Sequence, residues 1–150
     1  MSRTMLALAF SCLVVSVAAA KTCIVIDNGQ FLDSQFVLLK SSLGPGKVAP
    51  LQGYFAQFSS GQGTYVNFAP LSGQSVINSS GEGALGIVVH NVSVSAGGGG
   101  DGSTGNDAVQ LICRPGPKGT LGVGDMCNGF YNTNVVSVHF ITCGSPVAIP

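Results

Sequence analysis

Apolar residues recur along this chain in runs of strand length, separated by turns rich in glycine, proline, serine and asparagine. Many runs are rich in valine, isoleucine, phenylalanine and tyrosine, which suit the pleated surface of a sheet, and no long stretch has a helical period. The pattern predicts eight strands: Thr22–Ile26, Gln35–Lys40, Leu51–Phe58, Thr64–Phe68, Ser75–Asn78, Leu85–Val92, Val109–Cys113 and Asn134–Cys143. Such a series predicts an all-β sandwich or small barrel.

Residues 1–20 have the pattern of a secretory signal peptide. Arg3 supplies the positive charge, an apolar stretch follows, and Ala18 and Ala20 are the small residues that precede a cleavage site. A membrane helix would need about 20 continuous apolar residues, whereas Lys21 ends this run. We therefore expect a secreted, extracellular protein without a membrane span.

Four cysteines follow the predicted leader: Cys23, Cys113, Cys127 and Cys143. An even number of cysteines in an oxidising compartment indicates disulfide bonds. Three pairings are possible and the sequence does not decide among them. We favour Cys127 with Cys143 and Cys23 with Cys113, and the alternative is that one pair stays reduced in the core.

The charge balance excludes one class of partner and leaves others open. The chain has 6 basic and 6 acidic residues, and only 8% of its residues are charged. This is too little positive charge to neutralise several phosphates, so we expect no nucleic-acid partner. Asn78 and Asn91 each begin an N-glycosylation acceptor pattern, which is either used or a chance match.

Two turn-like segments invite a functional interpretation. The glycine-rich segment Ala96–Asp107 lacks the lysine and the following helix that a phosphate-binding loop requires, so we expect a flexible surface loop. The segment Asn128–Asn132 places two aromatic residues in a predicted turn. It would form either a contact surface or, more often in such segments, the cover of a core edge.

The order of segments resembles that of the copper/zinc superoxide dismutases. Thr22–Ile26 resembles the family's first strand, Gly61–Phe68 its Gly-Phe-His-Val-His segment, and Gly86–His90 its Val-Val-His segment. Thr104–Cys113 resembles its Thr-Gly-Asn-Ala-Gly and Leu-Ala-Cys ending. The resemblance implies an antiparallel Greek-key β-sandwich or flattened barrel of about eight strands. It spans residues 21–116, and leaves residues 117–150 as a C-terminal extension packed on the same domain.

The family's metal ligands are mostly absent from the matching positions. Tyr65 and Asn67 stand where two histidines of one strand would bind metal, and His90 alone stands on a copper-ligand position. Gln110 stands where the family has the arginine that attracts superoxide. The chain has 2 histidines, and the second, His139, lies on the last predicted strand. Two histidines cannot supply the four imidazoles with which the family binds copper.

These departures leave two functions open. We expect a secreted binding module with a degenerate metal site, no catalytic residue, no cofactor, and an extracellular protein or glycan as its partner. The alternative is a dismutase-type oxidoreductase with a minimal copper site at His90, assisted by His139 and by Tyr65 or Asp107. Otherwise His90 and His139 are ordinary strand residues.

Overall fold

The structure, a computed structural model, describes residues 22–41, 43–44, 46–79, 82–92, 105–114 and 121–143. These residues form eight antiparallel strands and one short 3-10 helix, Gly29–Phe31. The strands are β1 (Thr22–Ile26), β2 (Gln35–Lys40), β3 (Lys47–Ser59), β4 (Thr64–Ile77), β5 (Gly83–Val92), β6 (Gly105–Arg114), β7 (Met126–Tyr131) and β8 (Asn134–Thr142). The expected all-β class is therefore confirmed.

The strands close into a barrel in which each strand pairs with the next one along the chain, and β8 pairs with β1. The Greek-key order that the dismutase resemblance implied is wrong for this chain. Several connections are short, and tight turns join neighbouring antiparallel strands, whereas a Greek key needs a long connection across the barrel. Only Asn132 and Thr133 connect β7 to β8, for example.

The predicted strands differ from the observed ones in the middle and near the end of the chain. β1 and β2 have the predicted bounds, but Thr64–Phe68 and Ser75–Asn78 belong to the single long strand β4. Pro70 is tolerated within β4 because β5 pairs with that strand only from Leu71 onward. The proline therefore has a partner strand on one side only, as at a sheet edge.

The predicted C-terminal extension supplies two strands of the barrel. β7 and β8 pair with each other, with β6 and with β1, so residues 126–142 close the sheet. The predicted leader, residues 1–20, lies outside the described residues, as does most of the glycine-rich loop, whose last residues begin β6. Within the described ranges, no helix has the length and apolar character needed to cross a membrane.

Side chains fill the barrel. One continuous cluster of buried apolar residues runs through the interior, and its largest members are Tyr131, Phe36, Phe55 and Phe140. At one end, the 3-10 helix places Phe31 over this cluster, with its ring centroid 4.3 Å from that of Tyr131. At the other end, Leu43 and Leu121 are buried, and the Leu121 amide donates to the Leu43 carbonyl at 3.3 Å.

All four predicted cysteines form disulfides, but the favoured pairing is wrong. Cys23 pairs with Cys143, and Cys113 pairs with Cys127. Cys113 and Cys127 lie directly opposite each other on β6 and β7, with Cα atoms 4.2 Å apart. The other disulfide joins β1 to the residue after β8, so it links the first and last strands where the barrel closes.

Candidate functional site

The interior of the barrel offers no ready ligand site. Eight-stranded barrels either fill their interior with side chains or hold one small ligand, and this barrel is filled and covered at both ends. Among the described residues, every buried side-chain nitrogen or oxygen has a hydrogen-bond partner. Within the described ranges, no buried side-chain nitrogen or oxygen is therefore left without a partner, and the outer surface holds the remaining candidates for a binding site.

The outer surface of β5–β8 carries four large exposed apolar side chains. Strand alternation directs every second side chain to the solvent, and on these strands the outward positions include Ile112, Met126, Phe130 and Val135. These four side chains are 67%, 58%, 51% and 65% exposed. Together with the small residues Ala84 and Gly86 of β5, we call them the apolar face.

The strand register makes the apolar face continuous. Ala84 on β5 lies opposite Ile112 on β6, and Phe130 on β7 lies opposite Val135 on β8. Met126 lies opposite Arg114 across β6 and β7. Directly opposed residues in a sheet have Cβ atoms about 5 Å apart. Between β6 and β7, Ile112 lies opposite Asn128 and Phe130 lies opposite Gln110, so the apolar side chains are diagonal neighbours that line one groove with these polar residues.

A groove of about 990 Å³ runs along this face. The lining side chains are smallest at Ala84, Gly86 and Gly129, and the larger apolar residues surround these positions. Its polar lining consists of Gln110, Asn128 and Arg114. The Ser137 hydroxyl donates to the Asn128 Oδ1 at 2.9 Å, which orients that amide. Arg114 is the only charged residue among the described residues that line the groove.

His90, the predicted copper ligand, lies on β5 and contacts a hydroxyl. Its Nε2 is 2.7 Å from the Ser72 Oγ of β4. The ring is partly exposed, and the hydroxyl gives it a hydrogen-bond partner, as for an ordinary strand residue.

His139 has a different neighbour on another strand. Its Nδ1 lies 2.6 Å from the Asp27 Oδ1, at the end of β1. Both side chains are about one third exposed, so this surface pair contributes little to stability. β6 and β7 separate the strands of His90 and His139, and the structure does not bring the two imidazoles together.

The two other predicted ligand positions are also separate. The Tyr65 ring packs against Phe58, with ring centroids 5.3 Å apart, and burial, with a smaller contribution from Asp33, raises the pKa of its phenol. Asn67 lies at a bulge with a φ of 53° and donates to the Gln57 Oε1 at 3.3 Å. The bulge interrupts the regular alternation by which residues two apart on a strand face the same side.

No candidate metal cluster forms in the part of the chain that the structure describes. There, no three side chains among histidine, cysteine, aspartate and glutamate lie close enough to hold an ion together. Asp107, the other residue considered for a reduced copper site, accepts hydrogen bonds from Tyr131 and Asn132 instead.

A hydrogen-bond network at one end of the barrel joins Asp107, Tyr131 and Asn132. The Tyr131 phenol donates to the Asp107 Oδ2 at 2.9 Å, and the Asn132 amide donates to the Oδ1 at 2.8 Å. The Asn132 side chain also accepts from the Ala108 amide. These bonds hold the β7–β8 turn against β6. Burial, followed by the hydrogen bond to Asp107 and by its charge, raises the pKa of Tyr131 far above its ordinary value of 10.0.

The raised pKa of Tyr131 predicts a loss of stability at alkaline pH. The unfolded chain releases the phenol proton above about pH 10, while the folded protein retains it. The contribution of this phenol to the free energy of unfolding is therefore fully present below that pH. Above it, the free energy of unfolding falls by up to about 1.4 kcal/mol per pH unit. Urea unfolding of Tyr131→Phe should show a shallower decrease between pH 9 and 11 than the wild type. Tyr65→Phe, at a half-buried phenol, is the control and should retain most of the slope; equal slopes in all three proteins would contradict the assignment.

Of the two glycosylation positions, Asn78 is exposed in the turn between β4 and β5, and its Oδ1 accepts from the Glu82 amide at 2.9 Å. Asn91 lies within β5. Attachment of a glycan at the Asn78 Nδ2 would leave the bond to its Oδ1 intact.

The sequence analysis missed the apolar face, although one signal pointed to it. The sequence pattern predicts a turn at Phe130 and Tyr131, but both residues lie on β7, where Tyr131 enters the core and Phe130 points outward. Ile112 sits in a run of consecutive apolar residues on β6. Because alternate residues of a strand face opposite sides, such a run requires that both faces of that strand are apolar.

No family model, curated protein or solved structure matches this chain. The dismutase resemblance therefore stays a prediction, and the geometry of the chain itself carries the functional argument.

Proposed function

We propose that this protein is a secreted, non-catalytic β-barrel module that binds a protein partner through the apolar face. The observation that carries the proposal is the combination of a filled barrel with an apolar groove on its outer wall. Contiguous exposed apolar surface on a stable scaffold is characteristic of interaction sites. The barrel supplies the rigid support, and the outward residues of β5–β8 supply the contact.

The shape of the groove favours a macromolecule over a small ligand. Sites for small molecules bury about 70–90% of the ligand in a concave pocket. Here the apolar residues stand on the outer wall and remain 51% to 67% exposed. A protein surface can cover such a face and can remove these side chains from water, which is the main favourable contribution to association.

The disulfides support an extracellular location. One of them joins the first and last strands, and the other lies within the core. Disulfides of this kind form and persist in oxidising compartments, in agreement with the predicted signal peptide. The two histidines lie on β5 and β8, and each has its own neighbour, which disfavours the alternative of a copper site that both would share.

A dye-binding experiment tests the proposed role of the apolar face. Anilinonaphthalene sulfonate becomes fluorescent on exposed apolar surface, and dilute mature wild-type protein should bind it. The variant Ile112→Gln/Phe130→Gln removes two exposed apolar side chains without changing the charge. We expect this variant to lose about half of the fluorescence or more, because Ile112 and Phe130 are two of the four large exposed side chains of the apolar face.

The control variant is Leu39→Gln/Val48→Gln, at two exposed apolar residues of β2 and β3. It should retain the fluorescence of the wild type. Circular dichroism establishes that both variants keep the barrel. Equal dye binding by the two variants would contradict the proposal, as would absence of binding by the wild type.

A further inference from the structure

We propose that Asn28 is a site of spontaneous deamidation in the folded protein, and that the fold protects Asn128 from the same reaction. The chain contains two Asn-Gly dipeptides, Asn28-Gly29 and Asn128-Gly129. Asparagine is most prone to deamidation when glycine follows it, because glycine has no Cβ to hinder the attacking backbone nitrogen. The structure places the two dipeptides in different backbone environments.

The reaction needs only the chain and water. The Gly29 backbone nitrogen loses its proton and attacks the Asn28 Cγ, and the bond from Cγ to Nδ2 breaks as that nitrogen leaves as ammonia. Water then opens the resulting five-membered succinimide at either carbonyl, which gives an aspartyl or an isoaspartyl residue. The attacking nitrogen must therefore be able to lose its proton and to approach the neighbouring Cγ.

The first dipeptide meets both requirements. Asn28 and Gly29 are exposed in the turn that follows β1. Gly29 is the first residue of the 3-10 helix, and the first amides of a helix have no acceptor within it. Ring closure rotates ψ of Asn28 away from its value of 167°, and glycine, here with a φ of 75°, gives the backbone the conformational range for that rotation.

A hydrogen bond also activates the Asn28 side chain. The Ser137 N–H donates to the Asn28 Oδ1 at 2.8 Å. Negative charge develops on this oxygen as the backbone nitrogen attacks Cγ, and a donor that is already in place stabilises that charge.

The second dipeptide differs in its glycine and not in its asparagine. Asn128 is also exposed, and its Oδ1 also accepts from Ser137, in this case from the hydroxyl at 2.9 Å. Gly129, however, lies opposite Leu111 of β6 and Val136 of β8. Its backbone is therefore held extended in the sheet on both sides, and attack by its nitrogen requires a local opening of the barrel.

Peptide mapping by mass spectrometry of the mature protein, incubated at mildly alkaline pH, tests the proposal. We expect Asn28 to convert at least about ten times faster than Asn128 in the folded protein, since only the second reaction needs the sheet to open. In concentrated urea the two asparagines should convert at similar rates, because both are then ordinary Asn-Gly dipeptides.

Two variants supply the matched controls. Each deamidation adds one negative charge, so ion exchange separates the product from fresh protein. Asn28→Ser should abolish the acidic species that accumulates in the folded wild type, whereas Asn128→Ser should leave its rate of formation unchanged, and circular dichroism establishes that both keep the barrel. Equal rates at the two asparagines in the folded protein, or an acidic species that persists in Asn28→Ser, would overturn the proposal.

Discussion

Replacement of Cys23 and Cys143 by alanine is expected to lower the free energy of unfolding by about 5 kcal/mol. This disulfide spans 120 residues of the chain, and the stabilisation from a cross-link increases with the length of the loop that it closes. Cys23 and Cys143 also hold β1 and β8 together, and among the strands that the structure describes this is the only pair whose members are distant in sequence. Urea unfolding followed by circular dichroism measures the effect.

The single variants are the sharpest control. Because either replacement removes the cross-link, Cys23→Ala and Cys143→Ala should each lose nearly as much stability as the double variant. The Cys113–Cys127 disulfide closes a separation of only 14 residues, and its contribution from loop closure is about 3 kcal/mol. Additive losses in the two single variants, or a loss below about 1 kcal/mol in the double variant, would contradict the role of this disulfide in barrel closure.

Gly73→Ala should destabilise the barrel by at least about 3 kcal/mol. A Cβ atom at this position would lie 2.0 Å from the carbonyl oxygen of Gly86 and 3.0 Å from the Cα of Ile87. Both neighbours are backbone atoms of the paired strand β5, so no side-chain rotation relieves the clash. The substitution would push apart the paired strands β4 and β5, and thermal unfolding should show a large decrease in Tm.

Gly86→Ala is the matched control, since Gly86 lies on the strand opposite Gly73 and a Cβ there meets nothing within 4 Å. We expect its stability to remain within about 0.5 kcal/mol of the wild type. Similar losses for the two variants would show that glycine is needed at both positions for its backbone properties rather than for close approach of strands.

Local sequence pattern was sufficient for much of the barrel. β1 and β2 are short, dense in β-branched and aromatic residues, and bounded by turn residues, so their limits were predictable. β7 was not predictable in this way, because Asn128 and Gly129 are poor strand formers. Gly129 is nevertheless required there, since a Cβ would lie 1.8 Å from the carbonyl oxygen of Gln110. Contacts between neighbouring strands override local preference at this position.

The disulfide pairing and the site depend on relations that no local pattern records. Cys23 meets Cys143 because β8 returns to β1, and only closure of the barrel brings these distant residues together. Likewise, Ile112 and Phe130 are typical strand residues whose exposure depends on register. A shift of one residue would exchange their outward positions for inward ones.

NMR of the dilute mature protein during titration with anilinonaphthalene sulfonate distinguishes binding on the outer wall from binding inside the barrel. Backbone amide shifts should change along β5–β8, around Ile112 and Phe130, while those around Phe36 and Phe55 in the core stay constant. Shift changes centred on the aromatic cluster of Phe31, Phe55 and Tyr131 would place the ligand inside the barrel and would refute binding on the apolar face.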